Sequence, residues 1–121
     1  MPLCERLGIE VDGAAPDSVR LGMAWRSELC TSNGVLHGGA VMALADSAGA
    51  TCAVLNLPAG AGTATIESKT NFFRAVRQGR IVATARPLHV GSSTIVIETE
   101  VTDEGERLVA KVTQTQAVLR M

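Results

Sequence analysis

The stretch Asn33-Gly34-Val35-Leu36-His37-Gly38-Gly39-Ala40-Val41-Met42-Ala43-Leu44-Ala45-Asp46-Ser47-Ala48 decides how the rest of the chain is read. Its first residues complete a run of turn chemistry, Thr31-Ser32-Asn33-Gly34. From about Gly38 to Leu55 apolar residues then recur at three- and four-residue spacing, at Val41, Leu44, Ala45, Ala48, Cys52 and Leu55. That period predicts one long helix. The rest of its surface is mostly small (Ala40, Ala43, Ser47, Gly49, Ala50, Ala53), and Asp46 is its one charge. A helix so poor in charge is expected to be enclosed by other structure.

The flanks supply the enclosure. Residues 1–10 suit a short helical turn with Leu3, Leu7 and Ile9 facing inward, and Gly13 to Asp17 reads as a turn. Ser18 to Arg26 alternates, with Val19, Leu21, Met23 and Trp25 on one side, as a strand does. Beyond the helix, Pro58, Gly60 and Gly62 break the pattern. Four strand-like runs follow at Ala64–Phe73, Arg80–Val90, Ser93–Thr102 and Arg107–Leu119, separated by Gln78-Gly79, Gly91-Ser92 and Asp103-Glu104-Gly105. One helix and five strands predict an α+β fold, a curled antiparallel five-stranded sheet wrapped around one long central helix. Residues 1–121 make a single domain.

Composition narrows the function. With 46% hydrophobic and 19% charged residues, the chain is not disordered. Its only aromatics are Trp25, Phe72 and Phe73, so the apolar mass is small and branched aliphatic. Such side chains bury little area each, which favours association. A net charge of −1 and the scarcity of stacking rings argue against a nucleic-acid partner. No apolar run approaches the expected length of a membrane span, and the first residues do not read as a signal peptide. Cys4, Cys30 and Cys52 lack metal or redox spacing and read as reduced thiols of a cytoplasmic protein. Two histidines without ligand spacing argue against zinc, and there is no Gly-x-Ser-x-Gly elbow.

The chemistry therefore rests on the helix. Gly38 and Gly39 leave its first N–H groups uncovered, ready for an oxygen that is becoming negative; a tight entry turn would also ask for glycine. Asp46 is costly on an uncharged helix unless it meets solvent, a partner or a ligand; reaching a neighbouring loop is its ordinary alternative. Eight residues separate Gly38 from Asp46, about 12 Å at the helical rise. A nucleophile and an oxyanion donor must both lie within about 3 Å of one reacting group. If both act, two copies of the helix run side by side and antiparallel, and the protein is a dimer with two shared sites.

Gly34-Val35-Leu36-His37-Gly38-Gly39, with Asp46 seven residues beyond Gly39 and Asn71-Phe72-Phe73-Arg74 downstream, resembles the hotdog-fold thioesterases of the phenylacetate-degradation type. The resemblance runs from about residue 18 to 119. It implies hydrolysis of a small aryl- or medium-chain acyl-CoA at the interface of a homodimer or dimer of dimers. Coenzyme A is then part of the substrate and no cofactor is needed. Gly38 would donate its N–H to the thioester oxygen, Asp46 would act as nucleophile or as general base, and His37 would help shape the site. Relatives often carry Asn or Gln six residues before that histidine. Thr31 stands there in this chain, so Asn33 or a hydroxyl would have to serve. Thr65 falls where some relatives bind water through Ser or Thr, and an ordinary strand threonine also fits. Arg74, with Arg77 and Arg80, could hold CoA phosphates, as could backbone N–H groups of the Gly91-Ser92 turn. Two other readings fit the same fold: an acyl-thioester hydratase or dehydratase, for which Asp46 lacks a histidine within a turn or two, and a non-catalytic acyl-CoA-binding module.

Overall fold

The computed structural model of the protein describes residues 1–120. Its elements run α1 (Pro2–Leu7), β1 (Glu10–Ala15), β2 (Ser18–Ala24), a 3-10 turn (Ser27–Leu29), α2 (Gly38–Leu55), β3 (Gly62–Phe72), β4 (Arg80–Val90), β5 (Thr94–Thr102) and β6 (Leu108–Leu119). The strands form one antiparallel sheet in the order β1-β2-β4-β5-β6-β3. α2 has the bounds its apolar period predicts.

The sheet has six strands, not the five expected. The addition is β1, whose second half falls where a turn is expected; the turn itself is only Pro16-Asp17. Glu10 to Ala15 has one large apolar residue and no alternation, so it carries no strand signature of its own. Its backbone pairs with β2, from Glu10 beside Gly22 to Ala15 beside Ser18, and a cross-strand contact adds to that ladder. Arg80 on β4 lies across Gly22 of β2, where a Cβ would overlap the guanidinium, and reaches Asp12 at 2.8 Å and Glu10 at 3.3 Å on β1. That hydrogen bond, with the positive charges of Arg80 and Arg20, holds the Asp12 carboxyl below its ordinary value.

Strand order differs from chain order at one point. β3 does not pair with β4 but crosses to β6, with Phe72 beside Ala110 and Gly62 beside Leu119, and so becomes an edge strand. The sheet curves over α2. Val19, Leu21, Met23, Ile81, Ala83, Ile95, Ile97 and Val112 form the apolar face that meets Val41, Leu44, Ala45, Ala48 and Cys52. The predicted inward row of β2 is buried as far as Met23, and Trp25 is half-buried.

Enclosure of α2 is one-sided. Met42 and Val54 are 40% and 54% exposed, Leu55 is 41% exposed, and Asp46 is exposed as well. β3 is similarly open, with Ile66 60% exposed. Contrary to expectation, α2 also has the length and mean hydropathy (18 residues, 1.4) of a membrane span. A core helix meets the same test, and residues such as Leu44, Ala45 and Ala48 are fully buried against the sheet. α1 docks on α2 through Cys4 Sγ, 3.3 Å from Ser47 Oγ.

Candidate active site

The loop that launches α2 is clamped from two sides. Leu36 N–H donates to Val76 O and His37 N–H to Leu29 O, both at 2.9 Å. His37 is the N-cap, in extended conformation, and its ring Nδ1 accepts from Gly39 N–H at 2.8 Å. With Nδ1 taken up as the acceptor, Nε2 is the ring nitrogen left to face outward from the cap. The His37 carbonyl accepts from Ala40 and Val41 N–H at 2.9 and 3.2 Å. Every early donor of the helix is thus engaged except one: Gly38 N–H donates to no group among the described residues. The ring of Phe72 lies beside it, with Cζ 3.2 Å from where a Cβ at position 38 would stand.

Asp46 projects two turns further on. Its Oδ1 accepts from Nε2 of Gln114 at 3.2 Å. Gln114 comes from β6 and is fully buried, and the helix makes room for it: a Cβ on Gly49 would overlap its Oε1. Gln116, two positions along and 1% exposed, does the same for β3. Its Nε2 donates to Thr65 Oγ1 at 2.8 Å, and its Oε1 lies 3.1 Å from Thr63 Oγ1. Thr65 is exposed at a break in the β3–β6 register. Sequence reading singled out Asp46 and Thr65 but not the two glutamines that hold them. The available signal was polarity in an inward row, since β6 places Ala110, Val112, Gln114 and Gln116 on its buried side.

Other candidates are dispersed. Asn33 is at the tip of an exposed turn closed by Thr31 N–H to Val35 O, and its own N–H lies 3.4 Å from Thr31 Oγ1. No hydrogen bond joins Asn33 to Gly38 or Asp46. Arg74 is exposed just past β3. In the Gly91-Ser92 turn, Gly91 N–H donates to Thr94 O at 2.8 Å, and Ser92 O accepts from Arg120 at 2.9 Å. Arg74 and this turn lie at opposite ends of the sheet, next to Ala110 and Ala117 of β6, about 24 Å apart. One chain therefore separates both pairs, Gly38 from Asp46 and Arg74 from Ser92. Among the described residues, no cluster of three His, Cys, Asp or Glu is placed to hold a metal.

Two apolar clefts flank the start of α2. One, about 390 Å³, is lined by Leu36, Gly38, Val41, Phe72, Phe73 and Arg74 among others. The other, about 370 Å³, lies under α1 and is lined by Leu3, Leu7, Leu29, His37, Ala40 and Ala43 among others. A larger cleft of about 540 Å³ involves Arg77, Asp103 and Arg107 and contains none of the helix residues; Arg107 and Asp103 are ion-paired at 3.0 Å.

Residues 33–110 match the family model of the thioesterase superfamily. A Vibrio cholerae candidate esterase is 40% identical over 72% of this chain, a match spanning 58% of that protein. The 1,4-dihydroxy-2-naphthoyl-CoA hydrolase of Escherichia coli is 32% identical over 93% of this chain and 83% of its own length. Among solved structures, the thioesterase HI1161 of Haemophilus influenzae is 28% identical with a TM-score of 0.93, over 98% of this chain and 82% of that one. The candidate esterase Rv1847/MT1895 of Mycobacterium tuberculosis reaches a TM-score of 0.96 at 27% identity, over 100% and 98%. Family model, sequence relatives and fold agree: the chain belongs to the thioesterase superfamily, with the hotdog fold, and is a thioester hydrolase.

Proposed function

We propose that the protein is an acyl-CoA thioesterase of the phenylacetate-degradation type, active as a homodimer or dimer of dimers in the cytoplasm. The observation that carries this reading is the uncommitted Gly38 N–H at the start of a helix whose one charge, Asp46, lies about 12 Å away on an open face. Two such helices packed antiparallel bring the Gly38 of each chain to the Asp46 of the other. The same two-fold carries the Gly91-Ser92 turn of one chain toward Arg74 of the other, because α2 starts at the Arg74 end of the sheet. One operation thus assembles both halves of a site that a single chain keeps apart.

At that site the thioester carbonyl accepts from Gly38 N–H, and the helix terminus stabilises the oxygen as it becomes negative. Asp46 attacks the carbonyl carbon, or takes a proton from water that does so. The C–S bond then breaks and CoA leaves as a thiolate, which needs little protonation to depart. Attack by Asp46 itself leaves an acyl-aspartyl anhydride, which water opens to the free acid. Thr65, held by Gln116, supports the water, and His37 keeps the helix start in shape through its bond to Gly39. The cleft at Phe72, Phe73 and Arg74 suits the pantetheine arm, with Arg74 toward phosphate. The aliphatic cleft under α1 suits the acyl group. Two relatives, from E. coli and Listeria monocytogenes, are named for a bicyclic aryl-CoA, which makes aryl-CoA the first substrate class to try. A hydratase would need a histidine free to move protons at Asp46; the His37 that arrives there with Gly38 has its Nδ1 engaged by Gly39 N–H as the helix cap.

The test is a panel of aryl- and medium-chain acyl-CoAs with a thiol reagent, run on wild type and Asp46→Ala. Thiol release by wild type, with loss of at least roughly 100-fold in the variant, supports the reading. Loss of enoyl absorbance without thiol, or binding with neither change, would replace it.

A further inference from the structure

Gln114 occupies a place where a strand ordinarily carries hydrocarbon. It follows Ala110 and Val112 in the inward row of β6 and is fully buried. Its neighbour Gln116 has partners at both ends of its amide. Gln114 does not: Nε2 is bound to Asp46, while the buried Oε1 has no partner among the described residues. A half-satisfied buried amide is a net cost to the fold, so stability alone would favour methionine or leucine here. α2 also makes way for it, since any side chain at Gly49, three residues past Asp46, would overlap Oε1. Two positions on two elements are thus given over to bringing one amide N–H to one carboxylate. The reverse amide orientation would set two oxygens against each other, so Asp46 fixes which end faces it.

We propose that Gln114 is a positioning residue for the hydrolysis: by donating to Oδ1 it fixes the plane of the Asp46 carboxylate and leaves the other oxygen to the thioester carbon or the attacking water. This rests on the reading of Asp46 as the catalytic carboxylate. An exposed aspartate on a helix otherwise turns freely about its side-chain bonds, and a reacting group must be held within a fraction of an ångström to attack efficiently. Gln114 touches neither substrate nor water; it acts through Asp46.

The experiment compares Gln114→Met, which keeps length and volume without a donor, with Gln114→Leu and with Asp46→Asn, each as the full chain. Thiol release gives kcat and KM, and thermal unfolding gives Tm. The expected result for Gln114→Met is a kcat lower by roughly 10- to 100-fold, an unchanged KM and a Tm equal to or above wild type. A purely structural glutamine would not give lower turnover with undiminished stability. Gln114→Leu, a different shape lacking the same donor, should lose kcat in the same way, so that the role is still read if Gln114→Met folds poorly. In the Asp46→Asn background, Gln114→Met should have no further effect on residual turnover. If Asp46→Asn is dead and Gln114→Met keeps kcat within about twofold, the positioning role alone is overturned. A kcat loss that tracks a fall in Tm overturns it too. If Asp46→Asn turns over normally, the reading of Asp46 falls and this role with it.

Discussion

Gly38 and Phe72 meet at the start of α2, with the ring tip 3.2 Å from where a Cβ on residue 38 would stand. Phe72 is 50% exposed, so its ring has room to yield. The contact separates two substitutions that look alike. Gly38→Ala should fold, keep the N–H and lose activity only a few-fold, by about 3- to 10-fold through crowding of the thioester. Gly38→Pro removes the one uncommitted N–H. Proline is tolerated at the first position of a helix, and His37 already has the extended backbone that precedes proline. Its kcat should fall by roughly 100- to 1000-fold, the loss typical of one oxyanion donor. Steady-state kinetics with circular dichroism check both; equal losses for the two variants would remove the N–H from the mechanism.

Gly49→Ala should be destabilising although it sits within a helix. Alanine gains up to about 1 kcal/mol over glycine there. The added Cβ overlaps the buried Gln114 amide, and overpacking costs about 1–3 kcal/mol, so the clash wins. Gly49→Ala with Gln114→Ala should recover stability in urea titration without recovering turnover. A single variant as stable as wild type would show that the amide has room to move.

The helix and its buried row were legible because apolar period reports burial locally. Strand alternation likewise placed β4 with both ends correct and β2, β3, β5 and β6 to within one or two residues. β1 was not legible, because its pairing with β2 and the contact from Arg80, about 70 residues away, leave no apolar alternation in its own residues. Nor was the crossing of β3 to β6, since alternation says which face is buried and nothing about which neighbour pairs. At the site, Asp46 and Gly38 stood out as a lone charge and an uncovered helix start. Gln114 did not, because a strand glutamine reads as solvent-facing until its register is known.

The same arginine predicts an acid-sensitive edge. Its hydrogen bond is the largest influence on Asp12 and holds the carboxyl below the ordinary 3.8; burial opposes it. A depressed carboxyl stabilises the fold above its unfolded value and loses that contribution as pH falls through the folded value. Asp12→Asn should therefore cost no more than about 1 kcal/mol at neutral pH, the partners being partly solvated, and nothing by about pH 2. Urea unfolding at both pH values measures it. A deficit that persists in acid would mean that the pair's charge is not what matters.

Met42 lies midway between Gly38 and Asp46 and is 40% exposed. A two-fold that matches those residues sets the two Met42 side chains against each other. Met42→Glu should weaken the dimer by roughly 10- to 100-fold through apposed like charges. Sedimentation and activity read over a dilution series should then fall together. A variant that stays dimeric and active at high dilution would place the axis elsewhere.

The shared site is tested most directly by mixing two inactive proteins. Asp46→Ala and Gly38→Pro chains, unfolded together and refolded, form heterodimers in which one chain supplies an intact Gly38 and the other an intact Asp46. Random pairing should restore about one quarter of wild-type specific activity, from one working site in half of the dimers. No recovery, with mixed dimers confirmed by mass spectrometry, would contradict a site built from Asp46 of one chain and Gly38 of the other.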